Sequence, residues 1–429
     1  MPENWKTYKL SELTSVITKG TTPSTYGYKF LDSGINYIRA QSLNYNGSIN
    51  QEVFSFISQN AHEKLKRSQL IPNDILFSMA GAYLGMVGLV KDSHCPANTN
   101  QAVGIIRIDS PLVEVKFVEY SLRNPKTIAY VNSQSGQSAQ PNINLAEIGA
   151  LSFKFPPLPE QRTIASILSS IDDKIENNLA MNKTLEDMAM ALYKHWFVDF
   201  GPFQEGKFID SELGEIPEGW EVKQLENLID TLSKGTTPRK KDVDNLACTI
   251  PFLKVKDIND FGLINESSLE YIPDSVHNKQ LKRSILKTAD ILISIAGTIG
   301  RTAIIPSNLD NANCNQALAF VRLTNKELNN GFIYLWINSI QTQNEIDLSI
   351  VQGVQANVSL GVLKSLKFVY PPEKILKNFN NSVLKKLEMI SVNRKEIQTL
   401  TKLRDTLLPK LISGEVRLKE FEEEITSAL

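Results

Sequence analysis

The sequence has little cysteine and almost no net charge. Its three cysteines are scattered along 429 residues, which excludes a disulfide framework and favours a reducing, cytoplasmic compartment. The 46 lysines and arginines are balanced by 47 aspartates and glutamates, so the net charge is -1. This balance excludes a protein that coats nucleic acid through bulk positive charge, and equally an acidic mimic of nucleic acid. It allows a binder whose positive surface is local.

Motifs that hold cofactors or carry catalysis are missing too. The four histidines have no second histidine or cysteine at metal-ligand spacing, and no phosphate-binding GxxxxGK[ST] loop occurs. Glycine-rich dinucleotide or methyl-donor loops, an Asn-Pro-Pro-aromatic signature, a GxSxG elbow and an HExxH helix are also absent. We therefore predict a non-catalytic protein that binds no metal and no cofactor of its own.

The chain is a tandem repeat. Trp5–Pro23 aligns without a gap on Trp220–Pro238, an offset of 215 residues, and both segments contain the string KGTTP. Three further pairs of segments keep this offset to within one residue. They are Leu65–Gly85 with Leu281–Gly300, the two NxNQA turns at Asn98 and Asn313, and Phe155–Pro157 with Tyr370–Pro372.

The repeat also explains a long uncharged run. Residues Ile75–Val90 carry no charge but fall short of the roughly 20 apolar residues that span a membrane. The equivalent run of the second repeat is interrupted by Arg301. We therefore predict a buried strand, turn and strand here, and the first ten residues lack the apolar region of a secretion signal.

Each repeat divides into a globule and a long helix. Short apolar runs separated by Gly, Asn, Pro and Ser predict strands, with short helices near Val115–Leu122 and Phe332–Asn338. The prolines at 156–157 and 371–372 end the last strand of each globule, and apolar residues then recur with a seven-residue period. The predicted fold class is α+β, with two similar α/β-mixed globules joined by two long antiparallel coiled-coil helices as a pseudo-two-fold tandem repeat. The predicted domains are globules at 1–155 and 220–370, central and distal spacer helices at 156–200 and 371–415, a linker at 201–219 and a tail at 416–429.

Asparagines interrupt the apolar seam near the middle of both helices. Asn178 and Asn393 occupy equivalent positions, and Asn182 lies one turn from Asn178 on the same stripe. In an antiparallel pair, Asn178 and Asn393 would meet near the midpoint and fix the register of the helices at some loss of stability. Two solvated asparagines on separate helices are the alternative.

Two similar globules on a rigid spacer suit a protein that recognises sites made of two separate parts. On DNA they would read half-sites ~34 Å apart, with the helices fixing the unread gap. The KGTTP turns offer backbone N–H groups, hydroxyls and a lysine to phosphate, although packing alone also explains them. The Arg39 and Gln41 side chains suit guanine and adenine edges. The candidate DNA-binding residues are Lys19, Gly20, Thr21, Thr22, Arg39 and Gln41, and in the second repeat Lys234, Gly235, Thr236, Thr237, Arg239, Lys240, Lys254 and Lys256.

Other interpretations of these residues stay open. The basic cluster at Arg239, Lys240 and Lys241 and the lysines at 254 and 256 also fit an ordinary solvated face. The NxNQA turns fit either contact with DNA or hydrogen bonding to buried backbone groups. Two different sets of surface residues on the same scaffold would imply two different targets.

The chain closely resembles the specificity subunit of Type I restriction-modification systems over essentially its whole length. The resemblance is carried by the KGTTP turns, the DIL-x-S-x-AG segments, PPLPEQRTIASILSSIDDKIENN, LYKHWFVDF, the linker SELGEIPEGW and the tail LLPKLISGEVRL. It implies two target-recognition domains, each reading one half of a bipartite, asymmetric site in double-stranded DNA. It also implies two copies of a DNA adenine methyltransferase (M) subunit docked on the helices, and ATP-dependent restriction (R) subunits.

By this resemblance, S-adenosylmethionine, ATP and Mg²⁺ belong to the partner subunits. The near-neutral charge fits a binder that shares phosphate attraction with methyltransferase subunits closing around the duplex. A protein-docking adaptor with degenerate globules and no specific DNA binding is the alternative. The recognition portion of a fused enzyme is a further alternative, against which the missing cofactor motifs speak.

Overall fold

The computed structural model describes residues 4–134, 141–243, 246–259, 262, 264–350 and 356–417. The chain divides into two compact units, residues 1–176 with 398–429 and residues 177–397. Each unit therefore holds one globule with segments of both long helices, and the division falls inside the helices instead of at the prolines. No helix in the described ranges combines the length and apolar character needed to cross a membrane.

The globule of the first unit is built on two four-stranded sheets. Its strands are β1 (Lys6–Lys9), β2 (Thr14–Lys19), β3 (Ile35–Ile38), β4 (Ser55–Ile57), β5 (Gln69–Leu70), β6 (Ile75–Ser78), β7 (Val87–Leu89), β8 (Ala97–Thr99), β9 (Val103–Ile108) and β10 (Ser152–Phe155). The sheets have the orders β2-β9-β6-β7 and β4-β3-β8-β5. A separate antiparallel pair joins the first and last strands of the globule, β1 and β10.

The first unit also contains a buried strand, turn and strand and several short helices that precede the long helix. All four residues of β6 are buried, and a short 3₁₀ turn at Gly81–Tyr83 leads to β7, which confirms the predicted strand, turn and strand. The helices are α1 (Gln59–Lys64), α2 (Val115–Arg123), α3 (Pro125–Gln134), α4 (Leu145–Ala150) and α5 (Leu158–Phe197).

The second unit repeats this topology. Its strands are β11 (Phe208–Ser211), β12 (Gly214–Pro217), β13 (Glu221–Gln224), β14 (Ile229–Lys234), β15 (Cys248–Leu253), β16 (Glu270–Pro273), β17 (Ile291–Ser294), β18 (Thr302–Ile304), β19 (Asn313–Cys314), β20 (Leu318–Leu323) and β21 (Lys367–Tyr370). The four-stranded sheet has the order β14-β20-β17-β18, and the three-stranded sheet has the order β16-β15-β19. The helices are α6 (Lys240–Val243), α7 (Asp274–Asn278), α8 (Lys326–Ile337), α9 (Ile340–Leu348), α10 (Leu360–Ser365) and α11 (Glu373–Ser413).

The predicted tandem repeat of mixed α+β globules is confirmed. The strand pairings of the second unit reproduce those of the first, except that the described residues hold no counterpart of β5 and that β11 and β12 form an additional pair. Helices α2 and α8 lie where short helices were predicted. The spacer helices, predicted at 156–200 and 371–415, run from Leu158 to Phe197 and from Glu373 to Ser413. Residues 418–429 of the predicted tail lie outside the described residues.

An aromatic cluster anchors the long helices to the globule of the second unit. The ring of Phe197 on α5 lies 4.9 Å from Phe332 on α8 and 4.7 Å from Phe379 on α11, both in edge-to-face geometry. Each of these three side chains is almost completely buried. Such pairs add stability beyond the burial of their area. They fix the end of α5 against the beginning of α11.

The two long helices run antiparallel within the second unit. Phe197 meets Phe379 at one level, and Asn182 meets Asn393 about four turns away. The Nδ2 group of Asn393 donates to Oδ1 of Asn182 at 2.9 Å, and Nδ2 of Asn178 donates to Glu396 at 2.8 Å. The asparagines are thus buried in the seam. The expected pair of Asn178 with Asn393 is wrong, because α11 is displaced along α5 by about one turn from the register that would bring these two residues together.

Candidate nucleic-acid interface

Each KGTTP turn packs directly on the NxNQA turn of its own unit. The N–H group of Gly20 donates to the carbonyl of Val103 at 3.2 Å, and that of Thr21 donates to the carbonyl of Thr99 at 3.0 Å. A β-carbon on residue 20 would overlap the Thr99 carbonyl oxygen, so the close approach of the two turns requires glycine. The glycine of the first turn is therefore explained by packing.

The second turn has the same structure. Gly235 donates to Leu318 at 3.1 Å and Thr236 donates to Cys314 at 3.1 Å, and a β-carbon on Gly235 would overlap the Cys314 carbonyl. Two backbone N–H groups of each turn, those of its glycine and its first threonine, are therefore not available to phosphate, because they are already paired with backbone carbonyls inside the protein.

The threonines of each turn belong to a four-residue polar group that we name the turn cluster. In the first unit it consists of Thr21, Thr22, Arg67 and Gln101. The Thr22 hydroxyl donates to the Gln101 side chain, and Nη2 of Arg67 donates to the Thr21 hydroxyl at 3.1 Å. The side chains of Arg67 and Gln101 are exposed, so the cluster presents a cation and an amide to solvent.

The second unit carries the same cluster at equivalent positions. It consists of Thr236, Thr237, Arg283 and Gln316, with the Thr237 hydroxyl on Gln316 and Nη2 of Arg283 3.4 Å from the Thr236 hydroxyl. The candidate residues predicted from the sequence did not include either arginine or either glutamine. The signal was present, because LKRS and NxNQA are among the segments that repeat.

The first asparagine of each NxNQA turn has a structural role. Asn98 is buried, and its Nδ2 donates to the Leu65 carbonyl at 3.1 Å and to the Ser68 hydroxyl at 2.8 Å. Asn313 is buried and donates to the Leu281 carbonyl at 3.1 Å. The interpretation of these asparagines as partners of buried backbone groups is confirmed.

Arg39 lies on an aromatic platform next to the first turn. Its guanidinium stands 4.4 Å from the ring centre of Phe30, a cation–π contact that holds the planar group in place. Phe30 packs edge-on against Tyr37 at 5.2 Å, and the Tyr37 hydroxyl donates to the Thr21 carbonyl at 3.0 Å. Burial raises the pKa of Tyr37 to about 12, so the hydroxyl keeps its proton at neutral pH. Gln41 is exposed two residues beyond Arg39.

The equivalent positions of the second unit carry a different group, which we name the lysine–glutamate triad. Lys254 and Lys256 stand where the first unit has Arg39 and Gln41. The Nζ atom of Lys254 lies 2.6 Å from both carboxylate oxygens of Glu270, and that of Lys256 lies 3.2 Å from one of them. The lysines lower the pKa of Glu270, mainly through the hydrogen bond from Lys254.

The remaining basic candidates are not part of the turn clusters or the lysine–glutamate triad. Lys19 and Lys234 are exposed at the ends of β2 and β14. Arg239 is exposed but pairs with Asp242 at 2.9 Å, which offsets its charge. The side chain of Lys240 lies outside the described residues. Within the described ranges, no group of three or more His, Cys, Asp or Glu side chains is placed to hold a metal ion.

Comparison with known proteins gives consistent similarities along the chain. A family model described as Type I restriction modification DNA specificity domain matches residues 2–187 and again residues 217–402. The chain is 29% identical to the Type I restriction enzyme MjaIX specificity subunit of Methanocaldococcus jannaschii, over 98% of this chain and 95% of that protein. It is 24% identical to the Type I restriction enzyme HindI specificity subunit of Haemophilus influenzae, over 73% of this chain and 80% of that protein.

A solved structure shares the fold. The crystal structure of the Type-I restriction-modification system S subunit from M. genitalium superposes with a TM-score of 0.57 at 17% identity. The superposition covers 95% of this chain and 96% of that chain.

Proposed function

The chain belongs to the Type I restriction modification DNA specificity domain family, and from this we propose that each of its globules reads one half of a bipartite, asymmetric site in double-stranded DNA. The protein is then the non-catalytic specificity subunit of a Type I restriction-modification complex. It supplies sequence recognition, and its partners supply the chemistry.

The observation that carries this proposal is one scaffold with two different surfaces. The turn cluster is the same in both units, so the two globules would approach DNA in the same way. Beside the turn cluster, the first unit has Arg39 on its aromatic platform, and the second unit has Lys254 of the triad at the equivalent position. The residue of the first unit that is equivalent to Glu270 is Ser55. Direct reading of bases depends on such side chains, so the two half-sites should differ.

The proposed contacts with DNA are of two kinds, those that position the protein on the backbone and those that recognise bases. Arg67 and Arg283 of the turn clusters, with the exposed Lys19 and Lys234, carry charge suited to phosphate oxygens, which fix the position of the protein without reading sequence. The side chains that differ between the units, Arg39 above all, read base edges. Arginine suits guanine O6 and N7.

The helix pair offers a surface for protein partners. Four exposed side chains of the second unit, Met181 and Met188 on α5 and Met389 and Val392 on α11, are 44%, 48%, 49% and 63% exposed. Each of them immediately precedes a buried residue of the seam. In antiparallel helices, the residues that precede the seam lie on the same side of the pair, because each residue turns the chain by about 100°. We name these four residues the apolar helix face.

We assign the apolar helix face to a DNA adenine methyltransferase (M) subunit. Methionine-rich apolar surfaces suit protein docking. Two M subunits would assemble with the chain, and ATP-dependent restriction (R) subunits would join that core. S-adenosylmethionine, ATP and Mg²⁺ would be bound by those partners.

Mapping methylated adenines tests the proposal. The chain is co-expressed with its M subunit in a host without other adenine methylation, and methylated sites are read across the genome. We expect a single motif with two halves separated by a fixed gap. Methylation that depends on one half only would contradict reading by both globules. No methylation by a complex shown to assemble and bind S-adenosylmethionine would favour the adaptor without specific DNA binding.

A further inference from the structure

We propose that the lysine–glutamate triad reads an A·T base pair through the major groove in the half-site of the second unit. The inference rests on the proposed function and deepens it, because it assigns a base pair to named side chains. It concerns Lys254, Glu270 and Lys256, of which only the lysines were candidates on the sequence alone.

Strand pairing builds the triad. Lys254 follows the last residue of β15, and Glu270 is the first residue of β16. The antiparallel register of these strands sets Phe252 opposite Glu270, which brings the Glu270 carboxylate beside the lysine two residues further along. The side chains of Lys254, Glu270 and Lys256 are 29%, 49% and 56% exposed, so the triad lies at the surface.

The carboxylate argues against a phosphate contact. Two lysines side by side would form a good anion site, but Glu270 bridges their ammonium groups and would repel a phosphate oxygen at the same distance. A carboxylate at a DNA surface is favourable where it accepts a hydrogen bond, and the exocyclic amino groups of the bases supply such donors in the major groove.

The order of the groups selects the base pair. The Lys254 ammonium donates to both oxygens of the Glu270 carboxylate, and the Lys256 ammonium donates to one of them. In this chain of hydrogen bonds the carboxylate links the two ammonium groups, so the triad presents a donor, an acceptor and a donor. An A·T pair presents adenine N7, adenine N6 and thymine O4, which are an acceptor, a donor and an acceptor in this order. A G·C pair presents two acceptors followed by a donor, which leaves one group of the triad unmatched.

The first unit provides the contrast. Ser55 occupies the position equivalent to Glu270, and Gln41 the position equivalent to Lys256. The first unit therefore lacks the carboxylate, and its cation Arg39 is held by Phe30 instead. Replacing Glu270 by serine gives the second unit the residue that the first unit has.

The experiment compares base preferences of the assembled complex of this chain with its M subunit. Duplexes randomised through both half-sites are selected by binding and sequenced, for the wild-type chain, for Glu270→Ser and for the matched control Ser55→Ala. We expect Glu270→Ser to reduce discrimination at one A·T position of one half-site by about tenfold and to leave the other half-site unchanged. Ser55→Ala should leave that position unchanged. Equal thermal stability of the variants checks folding.

Three results with Glu270→Ser would overturn the inference. Uniformly tighter binding to all sequences would make the triad a phosphate contact restrained by its carboxylate. Unchanged base preference would make it a surface ion-pair group only. Relaxation at a G·C position would contradict the assignment to A·T. If instead the wild-type complex selects no bipartite sequence, the proposed function itself fails. The wild-type result therefore distinguishes a failure of the proposed function from a failure of the base assignment alone.

Discussion

Asn393 of α11 donates a hydrogen bond of 2.9 Å to Asn182 of α5, and both amides are buried in the seam of the helix pair. The Nδ2 group of Asn182 is buried without a hydrogen-bond partner in the part of the chain that the structure describes. Such a pair fixes the register of two helices but leaves polar surface unsatisfied.

Replacing both asparagines should therefore stabilise the protein. For Asn182→Leu with Asn393→Leu we expect the free energy of unfolding to rise by about 1–3 kcal/mol, measured by denaturant titration. Asn393→Leu alone should be less favourable, because it removes the donor to Oδ1 of Asn182, whose Nδ2 group is already buried without a partner in the described residues. The register should loosen, seen as a broader distance distribution between spin labels on Met181→Cys and Val392→Cys. A clear loss of stability in the double variant would contradict the prediction.

The close approach of the KGTTP turn to its neighbour makes a second prediction. Gly20→Ala and Gly235→Ala should each destabilise the chain by about 1–3 kcal/mol, because the new methyl group overlaps a backbone carbonyl. Gly361→Ala is the matched control, since Gly361 lies in α10 and a β-carbon there would stand 3.6 Å from its nearest neighbour, the Ser359 hydroxyl. The control should be neutral or stabilising by thermal melting. Equal losses at all three positions would contradict the steric argument.

Arg123 holds a buried charge network in the first unit. Its Nη1 group lies 3.1 Å from Glu119 and 2.9 Å from Asp172, and Asp172 also accepts from Arg404 at 3.1 Å. The network ties α2 of the globule to α5 and α11. Burial raises the pKa of Glu119, and the positive charge of Arg123 opposes that rise.

Removing this cation should give a pH-dependent loss of stability. Arg123→Met leaves Glu119 buried without its cation and should cost about 3–5 kcal/mol at pH 7. A carboxyl group whose pKa is raised by folding contributes its stability below the pKa of the unfolded chain and loses it as the pH rises. The loss should therefore be smaller at pH 5 than at pH 7. Adding Glu119→Gln should remove most of the pH dependence, and a loss independent of pH would contradict the assignment to Glu119.

The elements of the fold could be predicted because their signals are local. Strand residues such as Ile75–Ser78 form short apolar runs, and α5 and α11 carry a seven-residue period. The partner of Asn393 could not be predicted, because the repeat gives equivalent positions but not the offset of one helix along the other. An offset of about one turn, the spacing of Asn178 and Asn182, is enough to exchange one partner for another.

The site was predictable only in part for the same reason. Arg67 and Gln101 reach Thr21 and Thr22 through strand pairings between segments far apart in sequence. Glu270 joins Lys254 only because β15 and β16 pair in one register, and that register decides which charge stands beside the lysines. Composition and periodicity do not contain this information.

The apolar helix face gives the last prediction. Met181→Asp with Val392→Asp places two charges on the surface that we assign to the M subunit, and should weaken assembly by about tenfold or more. Both side chains are exposed, so the chain itself should keep its stability. Leu179→Asp is the matched control, because the Leu179 side chain is exposed as well, at 40%. Leu179 follows the seam residue Asn178 and therefore lies on the opposite side of the helix pair. Co-purification and sedimentation of the complex measure the assembly. Equal effects of the control and the double variant would contradict the assignment of this face to the M subunit. A general loss of apolar surface would then explain both results.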